Sequence, residues 1–355
     1  MNRFFFLLWI LALTQLVVPQ GIHAQEPKPS IFELNKKLGK GLNLGNALEA
    51  PNEGAWGVTL KEGHFAEIKK AGFDSVRLPI KWSAHASKSA PYLIEETFAK
   101  RVDWAIEQAL KNGLNIVVNV HHYDEMDKTP DLELPRLLAI WSQMGKRIQN
   151  RPDSVYLEML NEPHDKLVDG KWNEVLAKVL TEIRQTNPTR PVIIGPPFWN
   201  GIWALGKLKL PKDDNLIVTV HFYDPFEFTH QGASWVPNSD RWKGKTWQGT
   251  KEEKAALSAS LEKARAWGEK EKRPIYLGEF GAYSGGDLKS RTLWAQFVSH
   301  EANRLGFSWA YWEFCSGFGA YDYKNDRWYP ELRDALLKYS KGKSEDKINR
   351  QRLTA

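Results

Sequence analysis

The sequence predicts an α/β protein built as one closed, eight-stranded (β/α)8 barrel of the TIM type. Three observations predict it. Short apolar runs bounded by turn residues recur along the chain, the pattern of strands buried on both faces. Amphipathic runs of helical spacing lie between them. About eight such units follow one another with no Gly-rich phosphate turn after a strand, which disfavours the alternative, an open doubly wound sheet.

Taken in order, residues 1–24 carry Met1-Asn2-Arg3, an apolar run over 4–18, and Ala24 at a cleavage point. This is a signal-peptide pattern, and it predicts a secreted protein, extracellular or periplasmic. The run is short for a membrane span, so no stable insertion is expected after cleavage; an uncleaved signal anchor is the alternative. Residues 25–35 read as a linker, opening on Glu26-Pro27-Lys28-Pro29-Ser30. The barrel domain is expected over 36–342.

Its strands are expected at 40–46, 75–80, 115–122, 155–161, 191–196, 216–223, 274–281 and 307–314. Helices are expected at 60–71, 97–111, 132–149, 172–185, 251–270 and 288–305, the first two stopped by Gly72 and by Asn112-Gly113. The fifth helix, after Phe198-Trp199-Asn200-Gly201, is short and weak. The connection over 225–250 is long and rich in Trp, Gly, Asn and Ser, and loops of that length in a compact domain are usually functional. Residues 343–355 read as a disordered basic tail.

Composition narrows the function. The hydrophobic fraction of 42% and charged fraction of 26% are those of a soluble globular protein, expected to be a monomer. The net charge of +6 is interleaved with acids outside the tail, which argues against a nucleic-acid partner. The single cysteine, Cys315, excludes an intrachain disulfide and reads as a small buried hydrophobe. The 16 tryptophans exceed what a core needs and suggest platforms for flat ligands such as sugar rings or bases.

In such a barrel the chemistry sits at the C-terminal ends of the strands. Those ends carry Asn46, Arg77, His121, His122, Asn161, Glu162, His221, Tyr223, Glu279 and Trp312. Glu162 and Glu279 each close an apolar run, where a carboxylate is costly unless paired or working. Each alone fits a structural ion pair or a cap equally well. Together they fit an acid and a nucleophile facing one glycosidic bond, whose carboxyls would lie about 5–5.5 Å apart. Arg77, an isolated charge within a strand, needs a carboxylate partner, and Glu279 is the natural one. A metal held by His121, His122, His221 and a Glu is the competing reading. No His-x-His or His-Glu-x-x-His spacing supports it, so neither metal nor cofactor is expected.

The chain resembles the family 5 glycoside hydrolases, the cellulase and mannanase family of the retaining barrel clan. The matches are Asn43-Leu44-Gly45-Asn46, Val76-Arg77-Leu78-Pro79, Asn119-Val120-His121-His122, Leu160-Asn161-Glu162-Pro163, Val220-His221-Phe222-Tyr223, Leu277-Gly278-Glu279-Phe280-Gly281 and Trp309-Ala310-Tyr311-Trp312-Glu313. The segments 46–54 and 225–233 resemble a bacterial endoglucanase subgroup. The resemblance implies a retaining endo-β-1,4-glucanase acting on a β-linked polysaccharide. Mannan, glucomannan, xyloglucan and mixed-linkage glucan are the alternative substrates. It implies that Glu162 is the acid/base, protonated at rest, and that Glu279 is the ionised nucleophile, supported by Arg77 and Tyr223. It assigns Asn161 to the sugar 2-hydroxyl, His121 and His221 to orientation, and Trp312 to the floor of the cleavage subsite. Trp56, Trp82, Trp199, Trp235 and Trp247 are candidates for the rest of the cleft, with one wall expected from 225–250.

Overall fold

The computed structural model describes residues 29–338. The expected signal peptide over 1–24 and the tail over 343–355 lie outside the described residues. The chain opens with α1 (Ile31–Leu38) and continues β1 (Lys40–Asn43), α2 (Glu62–Ala71), β2 (Ser75–Leu78), α3 (Glu96–Lys111) and β3 (Asn115–Asn119). Next come α4 (Asp124–Lys128), α5 (Pro130–Ile148), β4 (Val155–Glu158), α6 (Asp169–Thr186), β5 (Val192–Ile194) and β6 (Leu216–Phe222). The last part is α7 (Phe226–Thr229), α8 (Lys251–Glu271), β7 (Ile275–Phe280), α9 (Leu288–Arg304), β8 (Ser308–Tyr311), a hairpin β9 (Tyr321–Asp322) and β10 (Arg327–Trp328), and α10 (Pro330–Leu337). Strands β1 to β8 pair in order, all parallel, and β8 returns to β1, so the barrel is closed as expected.

Two elements differ from the sequence reading. The linker expected over 25–35 ends inside α1. Ser30 and Glu33 form a capping box, in which Glu33 N–H donates to Ser30 Oγ and Ser30 N–H donates to the Glu33 carboxylate at 2.7 Å, so the helix starts at Ile31. Its apolar face, Ile31, Leu34 and Leu38, packs on Val117, Tyr156, Ile193, Ile217, Tyr276 and Ala310 from six strands. The helix thereby plugs the barrel at the end away from the strand C-termini. The weak fifth helix is a six-residue 3-10 segment, Ile202–Lys207.

The register places the chemistry. Between β6 and β7 the pairing slips after Val220, so that His221 stands opposite Glu279 rather than Gly278. Such a bulge re-aims a side chain beside a site. Gly278 is the residue passed over, and a Cβ there would run into Thr219 Oγ1 and lie 3.2 Å from His221 Nε2, so the close approach requires glycine.

Candidate active site

Arg77 is the hub. It points inward from β2 and is fully buried. Its Nη1 donates to Glu279 Oε1 at 2.6 Å and to Asn43 Oδ1 at 2.8 Å. Its Nε and Nη2 donate to the two oxygens of Glu158 at 2.6 and 2.7 Å, and Nη2 also reaches Asn161 Oδ1 at 2.7 Å. The expected partner, Glu279, is therefore one of two carboxylates on the same guanidinium. The second, Glu158, escaped the reading of strand ends because that strand was expected to run on to residue 161, whereas β4 ends at Glu158 itself. Its signal was a lone acid in an apolar run.

Glu279, from β7, is nearly buried. Its Oε2 accepts the Tyr223 hydroxyl at 2.9 Å. Burial raises its carboxyl overall, against the pull of the Arg77 guanidinium. Glu162 follows β4 in the left-handed region at φ 48° and keeps 26% of its side chain exposed. Burial raises its carboxyl to about 7, Glu158 pushes the same way, and Arg77 and His164 oppose. Burial raises both carboxyls, and the environments differ in what opposes it: Arg77 and the Tyr223 hydroxyl both donate to the Glu279 carboxylate.

His221 joins them. Its Nδ1 lies 2.7 Å from Glu162 Oε1, and its Nε2 lies 3.3 Å from Asn200 Nδ2. Burial lowers its ring to about 4, so it is neutral at pH 7. With Nε2 accepting from Asn200, the ring proton is on Nδ1 and is donated to Glu162. A carboxylate oxygen of Glu162, one of Glu279 and a ring nitrogen of His221 lie within 4.8 Å of one another. His121, held by Asn119 at 3.1 Å, stacks on Trp312 with ring centroids 5.8 Å apart and planes 12° off parallel.

A cleft of about 1640 Å³ opens over these groups, and Asn46, His121, His122, Glu162, His221, Tyr223, Glu279 and Trp312 all line it. Arg77 and Asn161 support it from beneath. Asn46, at φ 63°, uses its backbone N–H on the Glu49 carboxylate, and the exposed His122 meets Trp56 edge-on at 5.7 Å. The long loop forms part of the wall, as expected: Phe226, His230 and Trp235 line the cleft.

The tryptophan candidates divide. Trp56, Trp199 and Trp235 line the cleft and are 43%, 52% and 58% exposed. Trp82 and Trp247 are core residues at 2% exposure. Trp82 sends its indole N–H to Asn119 O at 3.0 Å, and Trp247 packs on Phe297 of α9. Trp242 of the long loop stands edge-on to Phe226 and does not line the cleft. Glu49, Trp203 and Glu313 line it as well, and of these only Trp203 lay outside the segments of noted resemblance.

Comparison with known proteins agrees with this geometry. Residues 39–317 match the cellulase family, glycosyl hydrolase family 5. Endoglucanase H of Acetivibrio thermocellus is 36% identical over 282 residues, which cover 79% of this chain and 30% of that protein. The chain thus spans about a third of that relative's length. The Thermotoga maritima Cel5A structure in complex with cellobiose is 50% identical with a TM-score of 0.85, covering 86% of this chain and 99% of that one. The same enzyme's complex with mannotriose is 49% identical with a TM-score of 0.85, covering 86% and 99%. The chain belongs to glycosyl hydrolase family 5, the cellulase family.

Proposed function

We propose that this chain is a secreted, monomeric endo-β-1,4-glucanase that cleaves internal bonds of cellulose-type glucans with retention of configuration. One observation carries the reading: oxygens of Glu162 and Glu279 approach within 4.8 Å. Retaining enzymes hold their carboxyls about 5–5.5 Å apart and inverting ones roughly 6.5–9.5 Å, with a water between. The short gap suits direct attack by a carboxylate.

In the first step Glu279 attacks the anomeric carbon. The bond to the leaving sugar breaks, and the Glu162 proton passes to its oxygen. In the second step the Glu162 carboxylate takes a proton from water, whose oxygen attacks the same carbon and frees Glu279. Two inversions restore the β configuration. Arg77 and Tyr223 orient the nucleophile, and Asn161 is the partner for the 2-hydroxyl. Trp56, Trp199, Trp235 and Trp312 offer flat faces to the apolar faces of successive sugar rings.

The name of endoglucanase H and the cellobiose complex of Cel5A support a glucan substrate. The mannotriose complex favours a second reading, a β-1,4-mannanase or glucomannanase on the same site. The signal-peptide pattern over 1–24 supports export. The test is a panel of soluble cellulose, glucomannan, xyloglucan and mixed-linkage glucan, with NMR of the first-formed anomer. An α-anomer from a β-glucan overturns retention, and no release from any β-1,4-glucan overturns the substrate.

A further inference from the structure

Glu158 is the last residue of β4 and is fully buried, yet it takes no part in the two steps above. Its two oxygens hold Arg77 Nε and Nη2 at 2.6 and 2.7 Å in a fork, which leaves Nη1 to face Glu279 and Asn43. One guanidinium therefore contacts Glu158, the nucleophile Glu279 and, through Nη2, Asn161 beside the acid. Burying such ions is expensive, and replacing a buried ion pair with apolar side chains is often neutral or stabilising. Stability alone does not account for a second carboxylate on this cation.

We propose that Glu158 is a positioning residue for the reaction: it clamps Arg77 so that Nη1 points at the nucleophile, and it sets a fixed negative charge beneath Glu162. This rests on the assignment of Glu162 as acid/base and Glu279 as nucleophile. The titratable groups around the clamp come from several strands: His121 past β3, Glu162 past β4, His221 and Tyr223 from β6 and just beyond it, and Tyr276 and Glu279 from β7. Asn43 of β1 and Asn161 are the neutral polar neighbours, and β5 pairs with Glu158 through Ile193. Burial keeps His121 and His221 neutral, so the titratable groups that pull the Glu162 carboxyl down are Arg77 and, beside its backbone, His164. Two anions on one cation leave a net negative charge, and Glu158 accordingly pushes the Glu162 carboxyl up and helps it keep its proton.

The test is kcat/KM against pH for Glu158→Gln on a soluble β-1,4-glucan, with folding checked by circular dichroism and Tm. The amide keeps the volume and removes the charge. The alkaline limb is expected to move to lower pH by on the order of one unit. The maximal rate is expected to fall about 100-fold as Arg77 loses its fork. A lower rate with the limb in place would mean a merely structural role and overturns the proposal. If Glu158→Gln does not fold, Glu158→Asp keeps the charge and shortens the reach. Its limb is expected at the wild-type pH with a reduced rate, and a displaced limb overturns the proposal. Glu162→Gln and Glu279→Gln separate the two levels. If either retains wild-type activity on the glucan, the underlying assignment fails. If both lose it while Glu158→Gln leaves the limb unmoved, the present proposal fails alone.

Discussion

His221 stands between the carboxyls proposed as acid/base and nucleophile, with Nδ1 2.7 Å from Glu162 Oε1 and 3.6 Å from Glu279 Oε2. A protonated ring there would neutralise both, and the Glu162 proton would be lost to the field of a neighbouring cation. Burial prevents this by holding His221 at about 4. The ring is a neutral donor through the working range, and it can stabilise Glu162 once that group has given up its proton.

This arrangement sets the pH dependence. As the proposed acid, Glu162 must carry a proton to give to the leaving oxygen, and its carboxyl is raised from the ordinary 4.5 to about 7. Activity on an unactivated glucan is therefore expected to fall as pH rises through about 7. The limb belongs to the free enzyme and is read from kcat/KM. Flat activity from pH 6 to 9 would contradict the assignment of Glu162.

The tryptophans give a contrast between binding and stability. Trp235 is exposed on the cleft wall, so Trp235→Ala is expected to raise KM with little change in Tm. A lost stacking contact of about 0.5–1.5 kcal/mol corresponds to roughly a 2- to 10-fold loss in kcat/KM. Trp247 is a core residue of the same loop. Trp247→Ala is expected to cost about 3–5 kcal/mol of stability and leave KM nearly unchanged. Equal KM effects from the two would mean that Trp247 also serves the cleft.

Glu313 predicts a pH effect on stability. It is buried beside the cleft, and its Oε2 has no hydrogen-bond partner among the described residues. A Cβ on Gly45 would lie 2.5 Å from that oxygen, so the carboxyl is pressed against backbone. Burial first, and Glu49 second, push Glu313 from 4.5 to about 8. A carboxyl raised on folding binds its proton more tightly in the native state. Its stabilising contribution is complete below about 4.5 and is lost as pH rises through about 8. Glu313→Gln is expected to match wild-type Tm near pH 5 and exceed it by about 2–4 °C at pH 9. A lower Tm for the variant at pH 9 would refute the buried neutral acid.

The barrel and most of the site were legible because buried parallel strands read as apolar runs, and their polar last residues stand out against that background. Glu162, His221, Tyr223 and Glu279 were found in this way. Glu158 was hidden because the apolar run continues past it to residue 160, so the end of β4 was placed too late, and only the fork from Arg77, 81 residues away in sequence, explains a buried acid there. Trp82 and Trp235 could not be told apart locally: the bond from Trp82 to Asn119 O spans 37 residues and exists only once β2 and β3 have paired. The start of α1 was missed because an eight-residue helix has little periodicity to show, although Ser30 and Glu33 carried its cap.

The roles of the two carboxylates separate by chemical rescue. Glu279 is held by Arg77 and Tyr223, whereas Glu162 is held by His221 and keeps part of its side chain open to the cleft. Glu279→Ala leaves a small cavity beside the anomeric carbon. With an activated leaving group, azide enters that cavity, attacks once, and is expected to give a glycosyl azide of inverted configuration. Glu162→Ala keeps the nucleophile and removes the proton donor. An aryl leaving group needs little protonation, so the first step survives, the second slows, and a glycosyl-enzyme accumulates. Azide then attacks that intermediate and is expected to give a product of retained configuration. Product stereochemistry by NMR decides between the assignments. Retained product from Glu279→Ala together with inverted product from Glu162→Ala would exchange the two roles.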